Sequence, residues 1–233
     1  MNKGGIGHIE IILAFILFLT FVLFAVYLFN PITKSSANDL SAERVFNSII
    51  ENISVDVVEY SIIPDSSLGG DLNVTFDASI GNNYALLGAR VESYNGTLLK
   101  LNKIGNSLYI KGNQENFFSL RLSDDITTTN YDSNLINGVN KFRMASSISR
   151  KMASEVKLQV VNRTYFSNYN KLKAILGVPV NNDFSIELSF DDGSRVNMNR
   201  NARNGQIFVH EERIRVLRLD GSYNFANIRV KIW

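Results

Sequence analysis

MNKGGIGHIEIILAFILFLTFVLFAVYLFNP, residues 1–31, decides how the rest of the chain is read. From Ile11 to Phe29 it holds nineteen consecutive uncharged residues, with Thr20 and Tyr27 the only hydroxyls. At about 1.5 Å per residue, a helix of that length covers roughly 28 Å, close to the ~30 Å hydrocarbon core of a bilayer. A surface helix of a globular protein normally keeps one polar face for water, and this stretch offers none. Asn30-Pro31 is expected to end the helix, because proline lacks a donor and disfavours a helical residue before it. The stretch therefore predicts one N-terminal transmembrane helix over residues 6–30, surrounded by membrane lipid. A secretory signal peptide fits poorly, since its apolar region is shorter and a small-residue cleavage site follows it.

Ahead of the apolar run lie Lys3, then Gly4, Gly5 and Gly7, and then Glu10, the one acid of the segment. This arrangement resembles the type IV prepilin leader, called the class III signal peptide in archaea. The resemblance implies a leader over residues 1–5, cut after Gly5 by a prepilin peptidase. Ile6 then becomes the new N-terminus and Glu10 the fifth mature residue. It also implies assembly with other pilin-like subunits, with Glu10 pairing to a neighbour's N-terminal amine. Departures are the single lysine, Gly7 at the second mature position and His8 at the third. The match covers about thirty residues, so it speaks to export and assembly more than to the head. The later block YFSNYNKLKAILGVPVNNDFSIEL is also similar to a segment of pilin-like archaeal membrane proteins. An uncleaved anchor, with Glu10 at headgroup depth, is the plainer alternative.

The chain of 233 residues has 45% hydrophobic and 11% aromatic residues, enough for a folded head of one domain or two small ones. It has no cysteine, which excludes disulfides and thiolate metal sites. A net charge of +2 conceals a split: residues 35–140 hold 6 bases and 13 acids, residues 141–233 hold 16 and 8. The short basic N-terminal flank is expected to stay in the cytoplasm while a long domain translocates. The localisation read from this is a single-pass membrane protein with an extracellular C-terminal head, incorporated in a surface filament. Four sequons, at Asn52, Asn73, Asn95 and Asn162, permit glycosylation without arguing for it.

Beyond the apolar run, residues 31–123 read as a helix plus an antiparallel meander. Leu40, Val45, Phe46, Ile49 and Ile50 recur at mostly helical spacing within 35–53. From Val55 the period changes to two, through VDVVEYSII, DLNVTFDASI, ALLGARVESY, GTLLKLNKI, SLYIKG and NFFSLRLS. Tyr94-Asn95-Gly96-Thr97 is the strongest turn signal. Residues 124–140 form a polar loop. Residues 141–233 read as a helix plus C-terminal β-hairpins. KFRMASSISRKMASEVK is taken as a basic helix, with SEVKLQVV turning to strand. Tyr165, Tyr169, Leu172 and Leu176 mark one face of a short helix, stopped by Gly177 and Pro179. Asp191-Asp192-Gly193 and Asp220-Gly221 then punctuate two hairpins. The fold class expected is α+β: the membrane helix, then an antiparallel-β-rich extracellular head with one or two short helices.

Catalytic motifs are missing from the sequence. His210-Glu211-Glu212 lies in a strand pattern and is not the H-E-x-x-H of a metalloprotease. Asp191 and Asp192 read as turn chemistry or a loose surface cation site, without calcium-loop spacing. Neither phosphate-loop nor dinucleotide spacing occurs, so no cofactor and no enzymatic activity are expected. Arg143, Arg150, Lys151, Lys157, Arg195, Arg200, Arg203, Arg213, Arg215 and Arg218 can form a positive face for a nucleic acid or acidic glycan. Pairing of these bases with the chain's own acids is preferred. The function read from the whole is a non-enzymatic pilin-like subunit, major or minor, of a cell-surface type IV-like filament. The alternative is a membrane-anchored extracellular binding module that does not polymerise.

Overall fold

The structure, a computed structural model, describes residues 6–65, 70–75, 87–112, 117–201 and 206–233, with side chains undescribed at 6–10 and 27–41. A single helix, α1 (Ile6–Ile53), opens the chain and runs 48 residues. Its C-terminal part is amphipathic, and there Ala42, Val45, Phe46, Ile49 and Ile53 are all at most 3% exposed. Strands β1 (Ser54–Pro64), β2 (Leu72–Thr75), β3 (Gly88–Ser93), β4 (Leu101–Ile104), β5 (Ser107–Ile110) and β6 (Phe118–Ser123) follow. Then come β7 (Phe142–Ser154), α2 (Glu155–Ser167) and α3 (Tyr169–Ile175). Four strands complete the fold: β8 (Phe184–Phe190), β9 (Arg195–Met198), β10 (Phe208–Leu217) and β11 (Tyr223–Ile232).

Eight strands form one sheet in the order β3-β6-β1-β7-β10-β11-β8-β9, and β2-β5-β4 form a second. The larger sheet is antiparallel except where β7 meets β10. Its β10-β11-β8-β9 half buries Phe184, Ile186, Leu188, Ile228 and Val230 against the end of α1 and against α2 and α3. Its β3-β6-β1 half packs Tyr60, Ile62, Val91 and Leu120 on Leu72, Leu101, Leu108 and Ile110 of the smaller sheet. A third cluster, Val55, Val57, Ile126, Met152 and Leu217, sits where the halves join. The join runs across the polar loop at 124–140, because β1 pairs with β7 over its whole length, from Ser54↔Ala153 to Pro64↔Phe142.

Several expectations are corrected. Among the described residues no helix is long and apolar enough to cross a membrane. The transmembrane helix over 6–30 and the single-pass localisation are thereby overturned. So is the fold class built on them: eleven strands against three helices make the described chain mostly β. Asn30-Pro31 does not end the helix either, since α1 passes through both. A proline inside a helix costs about 3 kcal/mol, and helical sequence on both sides, with the C-terminal side fixed to the core, outweighs it.

The stretch read as a basic helix, 141–157, is strand β7 up to Ser154, and helix only from Glu155. Helix propensity there is weak, and pairing with β1 decides the conformation. Ser154 then caps α2, its hydroxyl accepting from the Lys157 amide. Asn168 separates α2 from α3 by capping the second helix through the Lys171 amide. Tyr165, Tyr169, Leu172 and Leu176 all face the core, and Gly177 takes a φ of +66°.

Candidate functional surface

Two surfaces have chemistry that the core does not consume. The first is the N-terminal half of α1. Thirteen large apolar side chains between Ile11 and Val26 are exposed, from Val22 at 39% to Ile11 and Phe21 at 69%. They fill thirteen of sixteen successive positions, the others being Ala14, Thr20 and Ala25, so every side of the helix is apolar. Thr20 turns its hydroxyl back to the Ile16 carbonyl at 2.8 Å and offers no polar face. Monomers rarely expose more than a few hundred Å² of contiguous apolar surface, and larger patches mark interaction sites.

Of the residues singled out for cleavage and assembly, Gly5 lies outside the described residues. Ile6 and Glu10 are placed by backbone alone, at the start of α1. The sequons are scattered. Asn52 is exposed near the end of α1, its side-chain amide on the Ser48 carbonyl at 2.8 Å. Asn73 is half-buried in β2, and Asn162 is half-buried on α2 with its side-chain oxygen unpartnered. Asn95 is exposed at a turn where its side-chain oxygen accepts from the Thr97 amide at 3.0 Å and Gly96 takes a φ of +80°.

The second surface is ionic. A chain of alternating charges crosses four strands: Asp220 to Arg90 at 3.0 Å, Arg90 to Glu92 at 2.7 Å and Glu92 to Arg121 at 2.7 Å. It continues from Arg121 to Glu59 at 3.4 Å and from Glu59 to Arg150 at 3.0 Å. Arg121 also lies 4.3 Å from the centre of the Tyr223 ring. Burial tends to raise the Asp220 carboxyl, but Ser222, through its hydroxyl and amide, and Arg90 together hold it below its ordinary value. Two of these pairs, Arg90–Asp220 and Arg150–Glu59, join the acidic half of the sequence to the basic half.

Much of the expected basic face is engaged in the same way. Arg213 pairs with Asp191 at 2.7 Å, and Arg218 with Asp192 and with Glu155 at 3.4 Å. Arg200 stacks 3.7 Å over the Tyr169 ring, and Lys157 donates to the Ser54 carbonyl at the end of α1. Arg195 is exposed on β9, and Arg203 lies outside the described residues. Asp191 and Asp192 are thus occupied by arginines, and hydrogen bonds from Ser194, then Arg218, hold the Asp192 carboxyl low. No group of three or more metal-binding side chains occurs among the described residues. His210 rests its ring against Phe46, centres 4.4 Å apart, which ties β10 to α1.

Compared with known proteins, the chain matches no family model, no curated protein and no solved structure. Its surfaces are therefore interpreted from their own chemistry. Sequence reasoning found the apolar helix and the bases. It missed that Arg143 and Lys151 stand on a sheet edge, for which a strand in place of the supposed helix was the necessary signal.

Proposed function

We propose that the chain is a non-enzymatic, pilin-like filament subunit that associates through the apolar N-terminal half of α1. The observation that carries this reading is the continuous helix that is apolar on every side from Ile11 to Val26 and is locked into the folded head from Ala42 to Ile53. Packing such halves side by side removes their surface from water and leaves the heads outside the bundle. The Gly5/Glu10 spacing adds a registration device: cleavage after Gly5 creates an amine at Ile6, and Glu10 of a neighbour pairs with it. Breaking one side of a buried pair costs about 3–5 kcal/mol, so Glu10→Gln should weaken self-association about a hundredfold or more.

The test is co-isolation of differently tagged copies, with N-terminal sequencing of the mature chain, in cells that contain the filament's other subunits. Wild type is expected to begin at Ile6 and to co-isolate, and Glu10→Gln to lose most of that association. Wild-type copies that never co-isolate, or a mutant that associates equally well, would overturn the reading.

A further inference from the structure

We propose that the open edge of β7 accepts an extended acidic segment of a partner protein as an added β-strand. β7 is thirteen residues long and pairs along one edge with β1. Its other edge meets β10 only at Val216↔Ala153 and Leu217↔Ser154, after which the two strands part. Among the described residues, no strand pairs with that side of 142–152. Side chains 143–149 are exposed on both faces of the strand, so neither face is covered. β10 is open in the same way on the side away from β11. Between the two edges lies a cleft of about 340 Å³, lined also by Ile50 of α1 and Ser54, the first residue of β1.

An unpaired strand edge is a row of backbone donors and acceptors at the spacing another strand needs. Charge selects the occupant. Arg143 and Lys151 are exposed and have no ion-pair partner among the described residues. Lys151 and Arg215 line the cleft beside Arg150 and Arg213, which are engaged by Glu59 and Asp191, and Glu212 is the acid that lines it. A bulge at Ala145, where the register passes from Ser61↔Ser146 to Ile62↔Met144, sets Arg143 and Lys151 on opposite faces of the sheet, so the strand that fits carries acids on both of its faces at its two ends, about an uncharged centre. A second copy of β7 fits less well. Antiparallel pairing about Ser147 brings the basic ends of the two copies together, Arg143 of one beside Arg150 and Lys151 of the other, and like charges so placed are destabilising. The basic ends thus disfavour self-pairing while they favour an acidic strand.

This inference is independent of the filament reading, because it concerns the head alone. The probe is a blocked nine-residue peptide with two adjacent Glu residues at each end and Val and Thr between them, against the same peptide carrying Lys in place of the acids. Full-length protein is titrated in mild detergent, and amide hydrogen exchange is followed with and without peptide. The acidic peptide is expected to bind and to slow alternate amides within 143–151, the signature of strand addition. The double variant Arg143→Glu/Lys151→Glu should lose about tenfold in affinity. Both positions are exposed, so an unchanged melting temperature checks that its fold is intact, and Arg143→Gln/Lys151→Gln serves if it is not. Equal affinity for the basic peptide, binding without slowed exchange in 143–151, or slowing that depends on protein concentration alone would overturn the proposal. The last result would assign the edge to a second copy.

Discussion

Replacing Ile49 with alanine tests how α1 is held to the head. Ile49 is fully buried, in one cluster with Phe46, Ile53, Tyr165, Phe184 and Ile228. The substitution removes three carbons, worth about 2.4 kcal/mol at ~0.8 kcal/mol each. Incomplete collapse around the vacated space adds to this, giving about 3–4 kcal/mol, inside the ~2–5 kcal/mol range for such changes. For a chain of this size each kcal/mol lowers the melting temperature by about 2–4 °C, so a fall of roughly 6–16 °C is expected. Ile16→Ala is the internal control, since Ile16 lies on the same helix but is 55% exposed. It should shift head stability by less than about 0.5 kcal/mol. The assay is thermal and urea unfolding of the full chain in mild detergent, followed by near-ultraviolet signals from the head. A loss below about 1 kcal/mol at Ile49, or equal losses at both positions, would refute the assignment of α1 from Ala42 to Ile53 to the core.

Three further outcomes follow from the geometry. Tyr169→Phe keeps the ring, stacked 5.2 Å from Phe184, but strips the Phe184 amide of its acceptor at 2.9 Å. It should cost about 1–3 kcal/mol in urea unfolding, and a loss under 0.5 would count against that bond. Burial raises both Tyr165 and Tyr169; Tyr169 adds to the rise of Tyr165, and Asp183 adds to that of Tyr169, which reaches about 12. Because the fold favours the neutral phenols, their contribution is complete below pH 10 and is lost as pH rises from there through about 12. A melting temperature followed with pH should fall in that window, and tyrosinate absorbance reaching the full count of nine tyrosines at pH 10 with the head still folded would contradict it. Gly221→Ala forces a side chain onto a φ of +78° and brings its Cβ to 2.9 Å from the Cβ of Arg90, whereas Gly96 at +80° has open space. Gly221→Ala should therefore cost about 1–3 kcal/mol and exceed Gly96→Ala, and the reverse order in unfolding midpoints would be evidence against the packing of that turn.

Legibility in the sequence tracked how locally each element is specified. The C-terminal hairpins were readable because Asp191-Asp192-Gly193 and Asp220-Gly221 supply left-handed glycines, at φ +85° and +78°, between alternating runs. Ile228, Val230 and Ile232 carry that alternation into the core, while Arg229 and Lys231 reach Glu187 from the other face at 3.7 and 2.6 Å. β7 was not readable, since a Ser- and Ala-rich basic run has little period of its own and takes its form from β1. Nor could the ionic chain be seen, because Arg90 and Asp220 are 130 positions apart. At Pro31 the local rule for helix ends was overridden by a helix that continues on both sides. For the candidate surfaces, composition revealed the apolar run and the bases. Which bases are neutralised, and which stand on an unpaired edge, depends on strand order.

The uninterrupted α1 also has a mechanical meaning. Forty-eight residues at about 1.5 Å make a rod of roughly 72 Å with no linker between its apolar tip and its anchored base. A hinged stalk would let each head swivel and average its outlook. A rigid shaft instead transmits twist: rotating the tip by one residue, about 100°, turns the clamp of Val45, Phe46, Ile49 and Ile53, and the whole sheet with it, by the same angle. Whatever holds the tip thus sets the compass bearing of every strand edge and every arginine on the head.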